Sequence, residues 1–482
     1  MSTTTTQKNI PHWQQIVQDK HLDVSVVDSN LLDKELRFES EYFRPSFLDV
    51  EEKLKAKNSK SYKQYIKEVR CGPFGSTILH NTYKDSGVLV TRPFNIRNGT
   101  IEGENHAFIS EEDCLRKNLK FYDKNDIFFA RVGAVSCGLV PQFDYKITIS
   151  PNIIAVRTDG NKLSPEYSSI FFNTIYGESQ LLRAQKVVAQ PTISTGLIQN
   201  ILVSIPSKPF QERIAKLVQE AHRERETSKK LYQEAEDLLL SELGMKDWQP
   251  TEKNTAIKDS EEVQLYGRAD AEFFQPKYDE LFEKLEKTAS KKLGKIVIYL
   301  KGIEPGSNAY AEDGVPFVRV SDVSIHGIEN VEKKISAELF EKYKNSYSPK
   351  KGEVLFTKDG TIGISFVVDE DLDVVLSGAF LRLIPQGDIE PEYLALVLNS
   401  VVCKLQIERV AGGAIIAHLK PSDAMNLQIP ILDLRIQKQI VEKIKTSHMA
   451  RENSKTLLEN AKKAVEIFVE KDEKAAEKFL QE

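Results

Sequence analysis

The sequence predicts an α+β protein in which two tandem, pseudo-repeated α/β modules are separated by an antiparallel coiled coil of two long helices. Three observations lead to this prediction. Similar motifs occur twice in the same order, each set is followed by a long charged stretch with heptad spacing, and a polar segment joins the two halves. Internal repetition decides the architecture of a chain before any local pattern does.

Motifs of the first half recur in the second half at a nearly constant separation. They share an Arg–acid–Glu–aromatic pair–Pro pattern, a Gly–apolar–Arg run, an acid–apolar–Gly run and a Pro-Glu-Tyr triplet. The matched positions are 37–47 with 268–278, 87–92 with 314–319, 126–133 with 353–360, 165–167 with 391–393, and Gln211 with Gln437. So many matches in one order indicate a duplicated chain.

Each module contains short β-rich runs bounded by Gly, Pro, Asn and Asp, as at residues 88–91, 127–130, 147–156 and 354–357. This pattern is typical of strands joined by turns. We therefore expect curled, mostly antiparallel sheets with a few helices in each module.

A long helix is predicted after each module, from about Pro209 to Leu243 and from about Leu434 into the tail, with Gly244 ending the first. Apolar residues at heptad spacing include Ile214, Leu217, Leu231 and Leu238 in the first helix and Ile440, Ile444, Leu457 and Phe468 in the second. The small residues at the expected seam are Ala221, Ser228, Ala235, Ser447, Ser454 and Ala461. These small residues permit close approach of two antiparallel helices.

The polar segment 246–262 is expected to be the linker that lets the chain return. The predicted domains are residues 1–206 for the first module, with 1–8 disordered, 207–247 for the first helix, 248–431 for the linker and second module, and 432–482 for the second helix.

Composition excludes several functional classes. The four cysteines form no CxxC pair, and the histidines show no HxxxH or HExxH spacing, so neither a metal site nor a disulfide framework is expected. No phosphate-binding loop and no Asn-Pro-Pro-aromatic or Asp-Pro-Pro-aromatic motif occurs, so no catalytic residue is assigned. No apolar run is long enough to cross a membrane, and we expect a cytoplasmic protein.

The formal net charge of −5 argues mildly against a nucleic-acid partner, because phosphate-binding domains usually carry a positive balance. That objection weakens if charge is unevenly distributed. Acidic residues are frequent in the predicted long helices, whereas several arginines and lysines lie in the loop-rich stretches. A local basic surface therefore remains compatible with the sequence.

The duplicated modules, the helices entered through Ile205-Pro206 and Ile429-Pro430, and the segment 356–363 (FTKDGTIG) resemble Type I restriction-modification specificity subunits over nearly the whole chain. In that family each module is a target recognition domain. The helices form an antiparallel coiled coil that docks two methyltransferase (M) subunits, and restriction (R) subunits join that core. The first module departs from the signature, with Ala130-Arg-Val-Gly133 where the second has Thr357-Lys-Asp-Gly360.

The resemblance implies a non-catalytic reader of a bipartite double-stranded DNA target. S-adenosylmethionine, ATP and Mg would be bound by the partner subunits, and no cofactor by this chain. The eight heptad residues named above would belong to the helices that bind those partners.

Candidate DNA contacts follow from residue type and position. Arginine suits guanine and asparagine suits adenine, and basic side chains near glycine can contact phosphate. The candidates are Arg92, Asn95, Arg97, Arg131, Gln190 and Thr192 in the first module and Arg319, Asp322, Lys358 and Asp359 in the second. Each has an ordinary alternative: Asp-Gly is a leading hairpin signal, and an arginine at a strand end is often an ion-paired surface group. Loops 186–194 and 409–416 could enter a groove or be plain connections.

Three other interpretations stay open. The chain could hide an enzyme in a divergent motif, act as a coiled-coil assembly scaffold that does not bind DNA, or be the reader of a related DNA-modification defence system. The acidic residues around Glu41 and Glu272 favour helix anchoring and capping over acid–base chemistry, because no nucleophile is near them in sequence.

Overall fold

The computed structural model describes residues 40–97, 99–102, 107–185, 192–253, 255–329, 331–411 and 418–481. They divide into two compact units: unit 1 runs up to Arg225 and resumes at Glu452, and unit 2 is Glu226–Arg451. The division falls inside both long helices, so each long helix contributes one part to each unit.

The elements of the first half follow the expected alternation of short strands and helices. The strands are β1 Lys60–Ser61, β2 Ile66–Cys71, β3 Val88–Thr91, β4 Ile96–Arg97, β5 Thr100–Ile101, β6 Phe108–Ile109, β7 Ile127–Ala130, β8 Cys137–Leu139, β9 Ile147–Ile149, β10 Ile153–Thr158 and β11 Leu202–Val203. The helices are α1 Pro45–Ala56, α2 Glu111–Arg116, α3 Pro165–Phe172, α4 Ile175–Ala184, α5 Thr195–Asn200 and α6 Lys208–Glu242.

The second half repeats this order. Its strands are β12 Ser290–Lys292, β13 Val297–Lys301, β14 Tyr310–Ala311, β15 Val315–Val318, β16 Val323–Ser324, β17 Gly327–Ile328, β18 Lys334–Ile335, β19 Val354–Thr357, β20 Ser365–Val367, β21 Val375–Leu376, β22 Phe380–Pro385 and β23 Gln428–Pro430. Its helices are α7 Ser260–Tyr266, α8 Pro276–Leu285, α9 Ala337–Tyr347, α10 Pro391–Asn399, α11 Val401–Ala411, α12 Pro421–Met425, α13 Leu434–Glu470 and α14 Glu473–Phe479.

The sheets repeat as well. Unit 1 has the strand order β2-β10-β7-β8-β5-β4 beside β6-β3-β9, and unit 2 has β13-β22-β19-β20 beside β14-β18-β15-β21. Most pairs are antiparallel, as predicted, but β3 runs parallel to β9, β5 to β8 and β15 to β21. The central strands β7 and β19 are buried along their whole length, which explains their unbroken apolar runs.

The Pro-Glu-Tyr triplets and the repeated glutamines attach each module to the start of a long helix. The buried hydroxyl of Tyr167 donates to the Ser204 carbonyl at 2.7 Å, and Gln211 Oε1 accepts from the Ser164 amide at 2.9 Å. In unit 2, Tyr393 and Gln437 make the equivalent bonds to the Pro430 carbonyl and the Glu390 amide, at 2.9 and 3.1 Å. These motifs are therefore structural.

The aromatic pairs before α1 and α8 anchor an arginine. The Arg183 guanidinium lies 4.3 Å from the Tyr42 ring centroid, and the Arg409 guanidinium lies 4.3 Å from that of Phe273. Each arginine also donates through Nε to the backbone carbonyl of the same aromatic residue, at 2.8 and 3.3 Å. These contacts fix the aromatic residue that follows each acidic motif.

The acidic residues of these motifs do not cap α1 or α8 themselves, but in unit 2 the Asp270 carboxylate accepts a hydrogen bond from the Phe273 amide and so caps the turn before α8. The N-cap residues of α1 and α8 are Arg44 and Gln275, and neither makes a side-chain capping hydrogen bond. Each helix instead begins with a proline in its first turn, where the missing amide hydrogen leaves one donor fewer to satisfy.

The long helices pack antiparallel in each unit, and the small residues lie in the buried seam as predicted. In unit 1 the hydroxyl of Ser454 donates to the Ala221 carbonyl at 2.7 Å. In unit 2 the Ser447 hydroxyl donates to the Ser228 carbonyl at 2.7 Å. A side chain larger than serine would separate the two backbones at these positions.

The polar segment after α6 connects the first long helix to the second module and also makes contacts with that module. The Lys284 ammonium lies 5.6 Å from the Trp248 ring centroid, and Lys258 bridges to Asp279 at 2.7 Å. The helix α7 begins at Ser260, inside the predicted linker.

None of the described helices combines the length and the apolar character needed to cross a membrane.

Candidate nucleic-acid interface

In unit 1 the ends of three strands meet the turn between β9 and β10, residues 150–153. The amide of Ser150 donates to the Thr91 carbonyl at the end of β3, at 2.9 Å. The amide of Gly72, just after β2, and that of Arg131, just after β7, donate to carbonyls of the same turn, each at 2.9 Å. We call these strand ends and this turn the strand-end cluster of unit 1.

Unit 2 has the same arrangement around the turn between β21 and β22. The Ser377 amide donates to the Val318 carbonyl at 2.9 Å, and the Lys358 amide to the Ala379 carbonyl at 2.8 Å. A side chain at Gly302 would collide with the backbone of Ser377, so only glycine permits this close approach. These residues form the strand-end cluster of unit 2.

Each cluster also joins two motifs that are distant in sequence. The Ile193 amide donates to the Arg131 carbonyl at 2.9 Å, and the Leu419 amide donates to the Lys358 carbonyl at 2.8 Å. Thr192 therefore pairs with Val132, the neighbour of Arg131, although the sequence placed the two in different motifs. The candidate Gln190, with residues 186–191 and 412–417, lies outside the described residues.

Asn95 and Asp322 have the same structural role in the two units. Asn95 Oδ1 accepts from the Arg92 amide at 3.0 Å, and Asp322 Oδ2 accepts from the Arg319 amide at 2.8 Å. Their exposed fractions are only 1% and 3%. The sequence assigned both to base contacts, but here they cap a short 3-10 turn. The side-chain oxygen of Asn95 or Asp322 reaches back three residues to the arginine amide at the beginning of the turn.

Lys358 also differs from its predicted role. Its side chain is buried and its ammonium is paired with Asp359, whose other carboxylate oxygen contacts His418 Nδ1. An ammonium held in this way supports the surface instead of projecting to a phosphate. Gly360 has φ +69°, so the Asp-Gly turn between β19 and β20 is the hairpin connection that its sequence also allowed.

The remaining candidates stay accessible. Arg92 is partly exposed and stacks on the ring of Phe94 at 4.2 Å, while Arg97 is exposed and donates through Nε to the Phe94 carbonyl at 3.2 Å. Arg131 and Arg319 are partly exposed, but the Arg319 guanidinium pairs with Asp322 at 3.2 Å and lies 3.6 Å from Glu332. Contact of any of these residues with DNA stays a prediction.

Two aromatic residues near the cluster of unit 1 were missed by the sequence reasoning. Phe74, in the loop after β2, is 86% exposed, and Phe94 is 41% exposed. An exposed phenylalanine between glycines, as in Gly72-Pro-Phe-Gly75, is the signal that could have found the first. An exposed ring beside arginines suits stacking on a nucleobase.

Three of the four cysteine thiols are buried. Burial raises the pKa of Cys114 to about 11 and raises the pKa of Cys137 and of Cys403 even more strongly. Among the residues that the structure describes, no group of three or more His, Cys, Asp or Glu side chains could hold a metal ion.

Residues 286–463 match the family model of the Type I restriction modification DNA specificity domain. They belong to that family. The match begins just after α8, includes the strand-end cluster of unit 2 and ends within α13. Unit 1 repeats the strand order and the cluster of this specificity domain.

Similar proteins agree with this family. Over 144 residues the chain is 28% identical to the Type I restriction enzyme EcoBI specificity subunit of Escherichia coli. That match covers 30% of this chain and 30% of the relative, so the chain matches less than a third of the relative's length.

Two solved structures are similar over more of the chain, at low identity. The Type-I restriction-modification system S subunit from M. genitalium covers 85% of this chain and 94% of its own, with 12% identity and a TM-score of 0.39. The HsdS subunit from Thermoanaerobacter tengcongensis covers 86% and 96%, with 15% identity and a TM-score of 0.28.

The apolar residues that were assigned to partner-binding helices of the specificity subunit pack within this chain. Ile214, Ile440 and Ile444 are fully buried, so their side chains are not available to another subunit. The others are partly buried, namely Leu217, Leu231, Leu238, Leu457 and Phe468. The stripe expected to dock a partner is therefore used largely within this chain.

Proposed function

We propose that this chain is the non-catalytic DNA reader of a Type I restriction-modification complex. Each unit reads one part of a bipartite double-stranded target, and the strand-end cluster faces the DNA. The observation that carries the proposal is the match of residues 286–463 to the DNA specificity domain, combined with the repetition of its strand order and strand-end cluster in unit 1.

The partners follow from the same proposal. The exposed faces of α6 and α13 dock two M subunits, and R subunits join that core. S-adenosylmethionine, ATP and Mg are bound by those partners and not by this chain. The assembly works in the cytoplasm, where it meets the DNA of the cell.

The chemistry of the strand-end cluster of unit 1 supports DNA contact. The Arg92 guanidinium stacks on the exposed ring of Phe94, and Arg97 is exposed and donates to the Phe94 carbonyl. Arg131 is partly exposed at the end of β7. Arginine can contact phosphate or the guanine edge, and the ring offers an apolar contact to a base. Because these groups are local, a chain of net charge −5 can still present a cationic surface.

The decisive experiment is single-molecule sequencing of methylated adenines in DNA from cells that express this chain with its methyltransferase partner. A split methylated motif that disappears when this chain is deleted is the expected result. A normal methylation pattern without this chain, from a methyltransferase shown to be active, would refute the proposal and favour the scaffold. If the split motif depends on this chain but the purified complex contains subunits other than M and R, the chain is the reader of a related defence complex.

A second experiment assigns a half-site to a unit. Arg319→Ala is expected to weaken discrimination in one half of the motif and leave the other half unchanged, because Arg319 belongs to unit 2 only. Arg435→Ala is a matched control, since Arg435 is 90% exposed at the beginning of α13. Equal weakening of both halves by Arg319→Ala would contradict the assignment of one half-site to each unit.

A further inference from the structure

The long helices share a pattern that none of the contacts described so far explains. Residues 222–226 are HRERE and residues 448–452 are HMARE, with histidine, arginine and glutamate at the first, fourth and fifth positions. The two segments are separated as Gln211 and Gln437 are, so they occupy equivalent places in α6 and α13.

The arginine of each pattern pairs with a glutamate of its own unit. In unit 1 the Arg225 guanidinium pairs with Glu102, and their side chains are 12% and 8% exposed. In unit 2, Arg451 Nη2 lies 3.3 Å from Glu329 Oε1, with the side chains 10% and 28% exposed. A buried charge requires a partner with good geometry, so these Arg–Glu pairs restrict where the glutamates can lie.

Each glutamate in turn closes the turn that presents a candidate arginine. The Glu102 amide donates to the Asn95 carbonyl at 2.8 Å, and the Glu329 amide donates to the Asp322 carbonyl at 2.8 Å. Asn95 caps the turn that begins at Arg92, as described above. A continuous chain of polar contacts therefore leads from the long helix to the arginine at the strand end, and it occurs once in each unit.

We propose that Arg225 and Arg451 are positioning residues for DNA recognition. Each fixes the turn that carries Arg92 or Arg319 against the long helix of its own unit, and so determines how strictly that unit discriminates its half-site. This inference rests on the proposed function. Contacts to base edges depend on supporting groups that hold the contacting side chain within about half an ångström of its working geometry.

The test uses the full-length chain and duplexes in which one half of the methylated motif is randomised at a time. Arg225→Met is expected to lower discrimination at the half-site of unit 1 about tenfold, the effect of one mismatched base pair, with no change at the other half-site. Arg451→Met is expected to do the reverse. Arg223→Met is the matched control, because Arg223 lies on the same helix, is 65% exposed and pairs with Glu220 of that helix.

Two further measurements separate positioning from stability. Amide hydrogen exchange at residues 99–102 should accelerate in Arg225→Met, since the Glu102 amide loses its fixed geometry, while the seam residues near Ser454 keep their protection. The charge swap Arg225→Glu with Glu102→Arg should restore discrimination of the first half-site. Arg225→Lys keeps the positive charge and provides a second variant in case Arg225→Met does not fold.

The outcomes distinguish this inference from the proposed function. If the wild-type chain discriminates both half-sites and folded Arg225→Met does so equally well, or loses both together, the positioning role is overturned while the proposed function stands. If the wild-type chain shows no sequence discrimination at any half-site, the proposed function itself fails, and the positioning role fails with it.

Discussion

At the scale of single residues, several charged side chains that looked available for a ligand are committed to the fold. The acid of the acid–apolar–Gly motif is the clearest case. Glu353 accepts from Nε and Nη2 of Arg382 at 2.7 Å each, with both side chains almost fully buried. In unit 1, Asp126 forms the equivalent two-bond pair with Arg157. The sequence showed a repeated acid but not its arginine partner, because the two arginines occupy different places on β10 and β22.

Arg382→Met should destabilise unit 2 strongly. It leaves the Glu353 carboxylate buried without its partner, and breaking a buried pair in this way costs about 3–5 kcal/mol. The free energy of unfolding, measured by urea titration followed by circular dichroism, should fall by that amount. Arg435→Met, at an exposed site, should change it by less than about 0.5 kcal/mol. A small loss for Arg382→Met would show that water reaches the pair.

The thiols provide a second residue-scale prediction. Cys71, at the end of β2, is exposed, whereas Cys114, Cys137 and Cys403 are buried. Because access and thiolate formation control alkylation, one thiol of the folded protein should react quickly with iodoacetamide and all four should react in denaturant. Mass spectrometry of the labelled peptides identifies the site. Rapid labelling of Cys137 in the native protein would contradict the buried core of unit 1.

Cys71 also reports on DNA binding without any substitution. It directly precedes Gly72, whose amide bonds to the turn of the strand-end cluster. If that cluster faces DNA, a duplex with the correct motif should slow the labelling of Cys71, and a scrambled duplex should slow it less. Equal labelling rates with and without the correct duplex would place the DNA elsewhere on unit 1.

At the scale of elements, the heptad pattern predicted both long helices and their antiparallel seam. All six small residues of the pattern are buried, whereas several of its leucines are not. Leu231 and Leu238 are only partly buried, whereas Ser228 and Ala235 are fully buried. Hydrophobicity alone predicts that the leucines are the most buried residues between the helices. Burial there depends instead on how closely the two backbones approach. Serine permits a close approach because its hydroxyl donates to a carbonyl of the facing helix.

Ser454→Leu should therefore destabilise the helix pair of unit 1. The leucine has no space beside the Ala221 carbonyl, and the serine hydrogen bond is lost, so we expect a loss of about 1–3 kcal/mol from overpacking. Differential scanning calorimetry measures the change. Thr456→Leu, two residues away on an exposed position, is the matched control and should be nearly neutral. An unchanged melting temperature for Ser454→Leu would mean that the seam can open without cost.

The short strands illustrate what the sequence could not predict. The runs at 127–130 and 354–357 correspond to β7 and β19. Two-residue strands such as β4, β5 and β16 carry no periodic signal, and their pairing depends on which residues they meet. The strand-end clusters could not be predicted for the same reason. They consist of backbone hydrogen bonds between residues as distant as Arg131 and Ile193, and such bonds do not depend on the type of side chain.

At the scale of the whole molecule, the duplication predicts a divided DNA target whose gap depends on the long helices. Insertion of one heptad after Arg225 and another after Arg451 keeps the seam in register and lengthens each helix by about 10 Å. The gap preferred in methylation sequencing should change, while both half-site sequences stay the same. A paired insertion of this length that left the gap unchanged would show that the helices do not set it.

The net charge of −5 belongs to this scale too. It argued mildly against nucleic acid, yet the acidic residues include many that neutralise lysines and arginines within the chain, such as Glu353, Glu102 and Asp359. A formal sum counts these internal pairs together with the accessible groups. For a protein of this kind the distribution of exposed charge is informative, and the total is not.

The two Arg–Glu pairs differ from their surroundings in how the copies have diverged. The pairs and the capped turns are present in both units, whereas the neighbouring strand-end residues are Arg131 and Thr192 in one and Lys358 and His418 in the other. After the ancestral gene duplicated, each copy could accumulate substitutions at its strand ends while its attachment to the helix stayed intact. New binding preferences could therefore evolve in one half without loss of those of the other half.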